Sequence, residues 1–377
     1  MRKHAITFAV IVIALVSLVG AARAQPLAKS EVVGLWGVIP SGERAVTSLV
    51  VGPGGLILGG TSGRNAHLFA FDLDSKKVFD LDIIAGRGGI HRSLAMDSKG
   101  NIYAGTCLLP EDWAAAKDYG GGHIYAFHPK DSALAFERED LGIPVAGEGI
   151  YAMILDERHH LLFGMTFPKG HRFLYDLAQR QAKDLGEISG ELPFETRKAV
   201  SQALVQDEAG NVYTSGKEGK IVKYDLHTGM VTAMDKVRLP AILGREPWAS
   251  VDVFAKAPDG TIYGGTSDGY LFTFDPHTNV VLNLGKPIRQ HNFQGLVFGK
   301  DGILYGVAGE EQGMPRAFSY DPATHSFDLG GIPTMGPGAP CNIGDMVLHP
   351  SGSIIAGEVS RIASLRIFRE PGETATP

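Results

Sequence analysis

Seven residues at one repeated position of this chain could do proton chemistry: His67, His123, His171, Lys220, Tyr270, Arg316 and Ser364. Each stands four places ahead of an aromatic residue, every one can hydrogen-bond, and five are His, Lys or Arg. A second register runs Thr47, Arg92, Tyr151, Gln202, Asp252, Gln294, Gly344 and is polar at six of its seven positions. Two residues beyond it lies an apolar register, Leu49, Leu94, Met153, Leu204, Phe254, Leu296, Met346. The segments leading into the second register add Arg44, His91, Arg197, Trp248, His291 and Asn292.

These types suit elimination from a uronic acid. A neutral imidazole or an activated phenol can take the C5 proton, and a second such group can protonate the leaving oxygen. The C5 proton becomes more acidic when the neighbouring carboxylate is neutralised, which an arginine can do with two parallel hydrogen bonds. On this reading Arg92 and Arg197 clamp the carboxylate, Tyr151 or His91 is the base, and His171 is the acid. Arg44, His67, Arg92, His123, Trp248, His291, Asn292 and Gln294 would bind substrate, with Trp248 and Tyr151 offering flat faces to a sugar ring. No pattern in the sequence ranks these roles. The plain alternative is structural: polar residues line the mouths of water-filled channels, and each histidine can bond a neighbouring backbone. Carboxylates here are sparse (Glu148, Glu246 and Asp252 are the main ones), which argues against a two-carboxylate glycosidase. No nucleophile elbow or phosphate-binding loop is visible.

The elements that must position these residues repeat. The stretch "GPGGLILGGTSGRNAHLFAFDLDSKKVFDL" parallels "APDGTIYGGTSDGYLFTFDPHTNVVLNLG": a glycine turn, a short strand ending near Gly-Gly-Thr, an aromatic strand ending in Asp, and a final strand. Weaker copies surround "DSKGNIYAGT", "DERHHLLFGMT", "DEAGNVYTSG", "GKDGILYGVAG" and "HPSGSIIAGE". Seven copies of four short alternating strands predict an all-β, seven-bladed β-propeller over residues 25–371, as one domain. The first full copy begins near Arg44, and the seventh stops at "SLRIFRE" after its third strand. The segment "EVVGLWGVIP" reads as the missing fourth strand, so the N-terminal strand closes the ring and removes an open edge. Within "PEDWAAAKDYG" one short helix is expected, and residues 372–377 read as a disordered tail.

Let the strands of a blade be A to D, from axis to rim. The D-to-A links and B-to-C loops then open on one face and the A-to-B turns on the other. The A-to-B turns are short, and the long insertion "CLLPEDWAAAKDYGGG" is a B-to-C loop. Function concentrates in loops carried by a rigid scaffold, and both polar registers reach the B-to-C face. His91 and Arg92 therefore stand where a strand enters the ring, at the floor of a shared cleft.

Residues 1–24 read as an export signal: a basic "MRKH", an apolar "AITFAVIVIALVSLVG" and "ARA" before Gln25. Its removal leaves 32 Lys+Arg against 41 Asp+Glu, a formal charge of −9. A periplasmic or secreted, acidic protein is a poor nucleic-acid binder, and no later segment is apolar enough to span a membrane. Its basic, His-rich mouth suggests an anionic oligosaccharide or polysaccharide as partner of a monomeric protein. Cys107 and Cys341 are too few for a disulfide scaffold and have no metal-ligand spacing.

The blade "FGMTFPKGHRFLYDL" (163–177) and the "GNVYTSGKEGKIVKYD" blade after it (210–225) resemble seven-bladed propeller carbohydrate-active enzymes. These are the rhamnose-glucuronate lyases, their α-rhamnosidase relatives and the propeller ulvan lyases, and "TFPKGH" is the most specific piece. The resemblance implies a His-based site on one propeller face that cleaves glycosidic bonds next to uronic acids. No cofactor is required by the sequence, while the resemblance admits a divalent ion whose ligands it does not place. Two rival classes are a non-catalytic exported binding or scaffold module and a lyase of the kind that linearises cyclic depsipeptides. A quinone-dependent dehydrogenase lacks its repeated Trp pattern, with three Trp in the chain.

Overall fold

The computed structural model describes residues 27, 30–108, 118–130, 134–187, 201–216, 218–234, 236–310, 313–333, 341–359 and 362–368. The expected signal, the tail, Arg197 and most of the expected short helix lie outside them.

Each piece of the repeat has a mechanical reason. The glycine of strand B lies under an aromatic ring of strand C: a Cβ on Gly59, Gly164, Gly264 or Gly306 would stand 2.2–2.6 Å from the rings of Phe69, Phe173, Phe272 and Phe318. Only a bare backbone admits that approach. The threonine near the end of strand B uses its Oγ1 to accept the N–H of the residue at the entry to strand C, as in Thr61–His67 (3.0 Å), Thr106–His123 (3.0 Å), Thr166–His171 (2.9 Å) and Thr266–Tyr270 (3.1 Å). That bond fixes where the histidine register begins. The Asp at or just after the end of strand C folds its carboxylate onto the backbone two residues on, as Asp176, Asp225 and Asp275 do, and so turns the chain into strand D.

Five copies are separate four-stranded sheets. Blade 2 holds Leu94–Met96, Ile102–Gly105, Ile124–Pro129 and Phe136–Gly142; blade 3 holds Gly149–Asp156, Leu161–Phe167, His171–Asp176 and Gln181–Glu187. Blade 4 holds Val205–Gln206, Val212–Ser215, Ile221–Tyr224 and Val231–Ala233; blade 5 holds Val251–Lys256, Ile262–Thr266, Leu271–Asp275 and Val280–Gly285. Blade 6 holds Phe293–Phe298, Leu304–Ala308, Arg316–Asp321 and Ser326–Leu329. Blade 1 (Glu43–Val51, the long run Ile57–Asp72, and Lys77–Gly89) joins blade 7 through one bridge, Ala45 to Val359. Blade 7 is Asn342–Leu348, Ile354–Val359 and Ser364–Phe368, completed by Ser30–Gly34, which pairs antiparallel from Ser30–Phe368 to Gly34–Ser364. The expected ring and its closure by the N-terminal strand are therefore present.

The core is distributed over the seams between blades. Among the described residues the buried apolar side chains form seven clusters, each shared by one pair of neighbouring blades. The pair 7 and 1 shares Leu365, Ile355, Phe69 and Val46, and the pair 2 and 3 shares Tyr103, Ile124, Ile150 and Phe173. A blade alone cannot bury both of its faces, so stability belongs to the closed ring.

One charged residue is sealed in the closing blade. Arg366 in strand C of blade 7 is 2% exposed and lies 3.2 Å from the equally buried Glu358 of strand B. Arg366 Nη1 donates to Ser30 Oγ at 3.0 Å, so the guanidinium ties the N-terminal strand to its blade. Ser364 Oγ donates to the same Glu358 at 2.6 Å.

Candidate functional site

The strand A register does ring the axis, and Arg92 crosses it. From blade 2, its Nη1 donates to the Asp252 carbonyl (2.7 Å), its Nη2 to the Gln294 and Gly344 carbonyls (2.9 and 3.1 Å), and its Nε to Gly344 (3.2 Å). These acceptors belong to blades 5, 6 and 7 at the same register position. Of the five guanidinium N–H groups, little remains for a substrate carboxylate. Arg92 is thus a staple across the ring, and the structure does not bear out its expected role as a clamp. Arg92→Met should cost about 3 kcal/mol in a urea titration, since charge-assisted bonds are each worth about 1.5–3 kcal/mol before water in the channel replaces part of them. Catalytic loss with unchanged stability would restore the clamp.

Two acids share that channel. Asp252 Oδ2 accepts from Phe293 N–H (2.9 Å) and Asn292 Nδ2 (3.2 Å), and Asp345 Oδ2 accepts from Leu49 N–H (2.8 Å). Burial raises both carboxyls against the pull of these bonds and of Arg92, Asp252 to about 6. A carboxyl raised in the folded state binds more protons there than in the unfolded chain, so its contribution to stability falls as pH rises from about 4 to about 6. Asp252→Asn should remove that fall and stabilise the protein at pH 7 by up to about 3 kcal/mol, at 1.36 kcal/mol per unit. Paired denaturation curves at acid and neutral pH measure it.

The histidine register is placed as expected at the start of strand C, but its side chains turn to strand D of their own blades. His67 Nδ1 meets Asp80 (3.3 Å), His123 Nδ1 meets Asp140 (2.9 Å) and His171 Nδ1 meets Asp184 (2.9 Å). One His–Asp tie thus recurs in three consecutive blades. The His67 side chain is 1% exposed, with Nε2 3.9 Å from the buried Glu43. His171 Nε2 faces Glu187 at 3.4 Å, so its ring is held between two carboxylates. The register is a set of hairpin ties, and His171 as acid would have to leave that arrangement.

His91 and Tyr151 are brought together. His91, in the link from blade 1 to blade 2, and Tyr151, at the start of blade 3, have ring centroids 5.4 Å apart, and Phe167 backs Tyr151 at 5.3 Å. The His91 side chain is buried, and its Nε2 has no hydrogen-bond partner. The Leu108 backbone bonds the ring and favours its charged form, yet burial dominates and lowers the imidazole to about 4. Burial pushes the Tyr151 phenol up to about 12, with Arg92 pulling against it. At neutral pH the pair is a neutral imidazole near a protonated phenol.

The remaining expected residues divide. Gln294 is spent between blades, donating to Gly309 O (3.1 Å) and Asn342 Oδ1 (2.9 Å) and accepting from Ile343 N–H (2.8 Å). Asn292, with φ 65°, ties its link to Asp252. His291 faces Glu310 at 3.7 Å. Arg44 is exposed, and Trp248 is 61% exposed. Sequence reasoning missed the work of Glu148: buried, it accepts from Thr166 Oγ1 (3.1 Å) and Lys169 N–H (2.9 Å), and so fixes the "TFPKGH" loop. Both cysteines are free and buried. Among the described residues no three His, Cys, Asp or Glu are grouped to hold a metal ion.

The sequence matches no protein-family model and no curated protein. Solved propellers match in shape. A streptogramin B lyase aligns over 90% of this chain and 97% of its own at TM-score 0.66 and 11% identity. A catalytically inactive histidine-to-alanine variant of virginiamycin B lyase from Staphylococcus aureus, solved with quinupristin, aligns over 90% and 99% at 0.62 and 10%. The extracellular domain of a protein described as a one-component system of B. thetaiotaomicron aligns over 89% of this chain and 39% of its own at 0.61 and 14%. What these proteins share with this chain is the β-propeller fold.

Proposed function

We propose that the chain is an exported lyase that cleaves a glycosidic bond next to a uronic acid by β-elimination on the B-to-C face. The observation that carries this reading is the buried, unpartnered Nε2 of His91, in a ring whose centroid lies 5.4 Å from that of Tyr151. An orphaned buried nitrogen costs stability unless something repays it, and a substrate proton is what such a nitrogen can take. His91 Nε2 removes the C5 proton, the C4–O bond breaks as the C4–C5 double bond forms, and Tyr151 protonates the departing oxygen. Proton exchange with water then restores both groups. The likeness to lyases on the same fold supports an elimination over a hydrolysis. The substrate is an anionic oligosaccharide or polysaccharide, and no cofactor takes part in these steps.

A second reading, a non-catalytic binding module, is favoured by the likeness to an extracellular domain and by the engagement of Arg92 elsewhere. An ultraviolet time course with rhamnose- and glucuronate-bearing glycans separates the two. A rising unsaturated-uronate signal is expected. Tight binding without product would establish the module instead.

A further inference from the structure

A second cluster on the B-to-C face, across blades 4 to 6, has no part in that chemistry. Three segments meet there. The link from blade 4 to blade 5 carries Arg245 and the short 3-10 turn Glu246–Trp248. The B-to-C loop of blade 5 carries Asp268 and Tyr270, and the link to blade 6 begins with Lys286. Backbone bonds zip them together: Ser267 N–H to Ser250 O (2.8 Å) and Asn292 N–H to Ser267 O (3.3 Å).

One buried carboxylate organises the first segment. Asp268 accepts from Ile242 N–H at 2.9 Å and pairs with Arg245 Nε at 3.1 Å, while the Arg245 side chain stays 49% exposed. The Glu246 carboxylate is turned back onto Gly244 N–H at 3.0 Å. Lys286 has a different partner. Its ammonium stands over the Tyr270 ring, 4.7 Å from the centroid, and among the described residues no carboxylate lies within ion-pair distance. A cation held by an aromatic face is positioned without being neutralised. Of these two cations only Arg245 is paired with a carboxylate, and Trp248, three residues after it, is 61% exposed.

We infer that Lys286, Arg245 and Trp248 form a binding subsite for a carboxylate-bearing sugar ring, with the ring on the indole and the carboxylate between the two cations. This rests on the glycan reading above and names the residues that recognise the acid sugar, a role that Arg92 is not free to fill. Burial and the nearby Arg245 lower the Lys286 ammonium, and Asp268 opposes them. A bound carboxylate would relieve that mutual repulsion.

The test is calorimetric binding of an oligosaccharide of alternating rhamnose and glucuronate, compared with its carboxyl-reduced counterpart. The wild type, Lys286→Gln and Trp248→Ala are used, with folding checked by thermal melting. The acid form should bind the wild type about tenfold more tightly than the neutral form, the scale of one charge-assisted contact. Lys286→Gln should erase that preference and leave the neutral form unchanged, while Trp248→Ala should weaken both forms alike. Equal binding of the two forms, or a preference that survives Lys286→Gln, overturns the subsite. Acid-selective binding without turnover leaves the subsite standing and removes the lyase. Turnover with an unchanged KM in both variants does the reverse.

Discussion

Arg366→Ala is expected to destabilise the ring by about 3–5 kcal/mol, the cost of removing one partner from a buried ion pair. The stranded group would be Glu358, 2% exposed, with Ser364 Oγ as its remaining donor. The loss would fall on the seam that makes the propeller whole, because Arg366 also holds Ser30 of the closing strand. Hydrogen exchange should accelerate first in Ser30–Gly34 and Ser364–Phe368, which pair along their length. Arg366→Met with Glu358→Gln should recover part of the loss, since no charge is then left buried. A single variant as stable as wild type would show that water reaches Glu358.

The second large effect concerns rate. His91→Gln should lower turnover by about 10²–10⁴, the usual contribution of a general base. Stability supplies an independent readout with its own sign. A histidine lowered to about 4 by burial binds fewer protons folded than unfolded. The wild type therefore gains stability from this group as pH rises from about 4 to about 6.5, and loses it as pH falls. His91→Gln should be more acid-resistant than wild type, opposite in sign to Asp252→Asn, and folded at pH 7. A variant that is inactive because it is unfolded at neutral pH would mark His91 as a packing residue.

Much of the fold was legible because its physics is local and repeated. Glycine two places before threonine, followed by an aromatic strand, encodes a ring lying on a bare backbone and a hydroxyl accepting the next N–H, and it recurs at Gly59, Gly164 and Gly264. Ring closure could be read from a missing fourth strand and an extra first one. The site was less legible, since register fixes where a side chain starts and not where it ends. Arg92 and Gln294 stand at the expected mouth, yet both are consumed by carbonyls or amides from other blades. His67, His123 and His171 share a register because each meets an acid on the next strand, and their Asp partners were the overlooked signal. An arginine amid the apolar run "SLRIF" was the visible trace of the closing ion pair. Asp268 gave no such trace, because its value lies in two segments that meet only after folding.

The measurement that bears most directly on the account is product mass spectrometry of a rhamnose-glucuronate oligosaccharide digested in heavy-oxygen water, with wild type and His91→Gln side by side. Elimination predicts an unsaturated uronate end, no oxygen taken from water at either new end, and loss of product in the variant. Saturated products carrying solvent oxygen, or equal product from the variant, would contradict it.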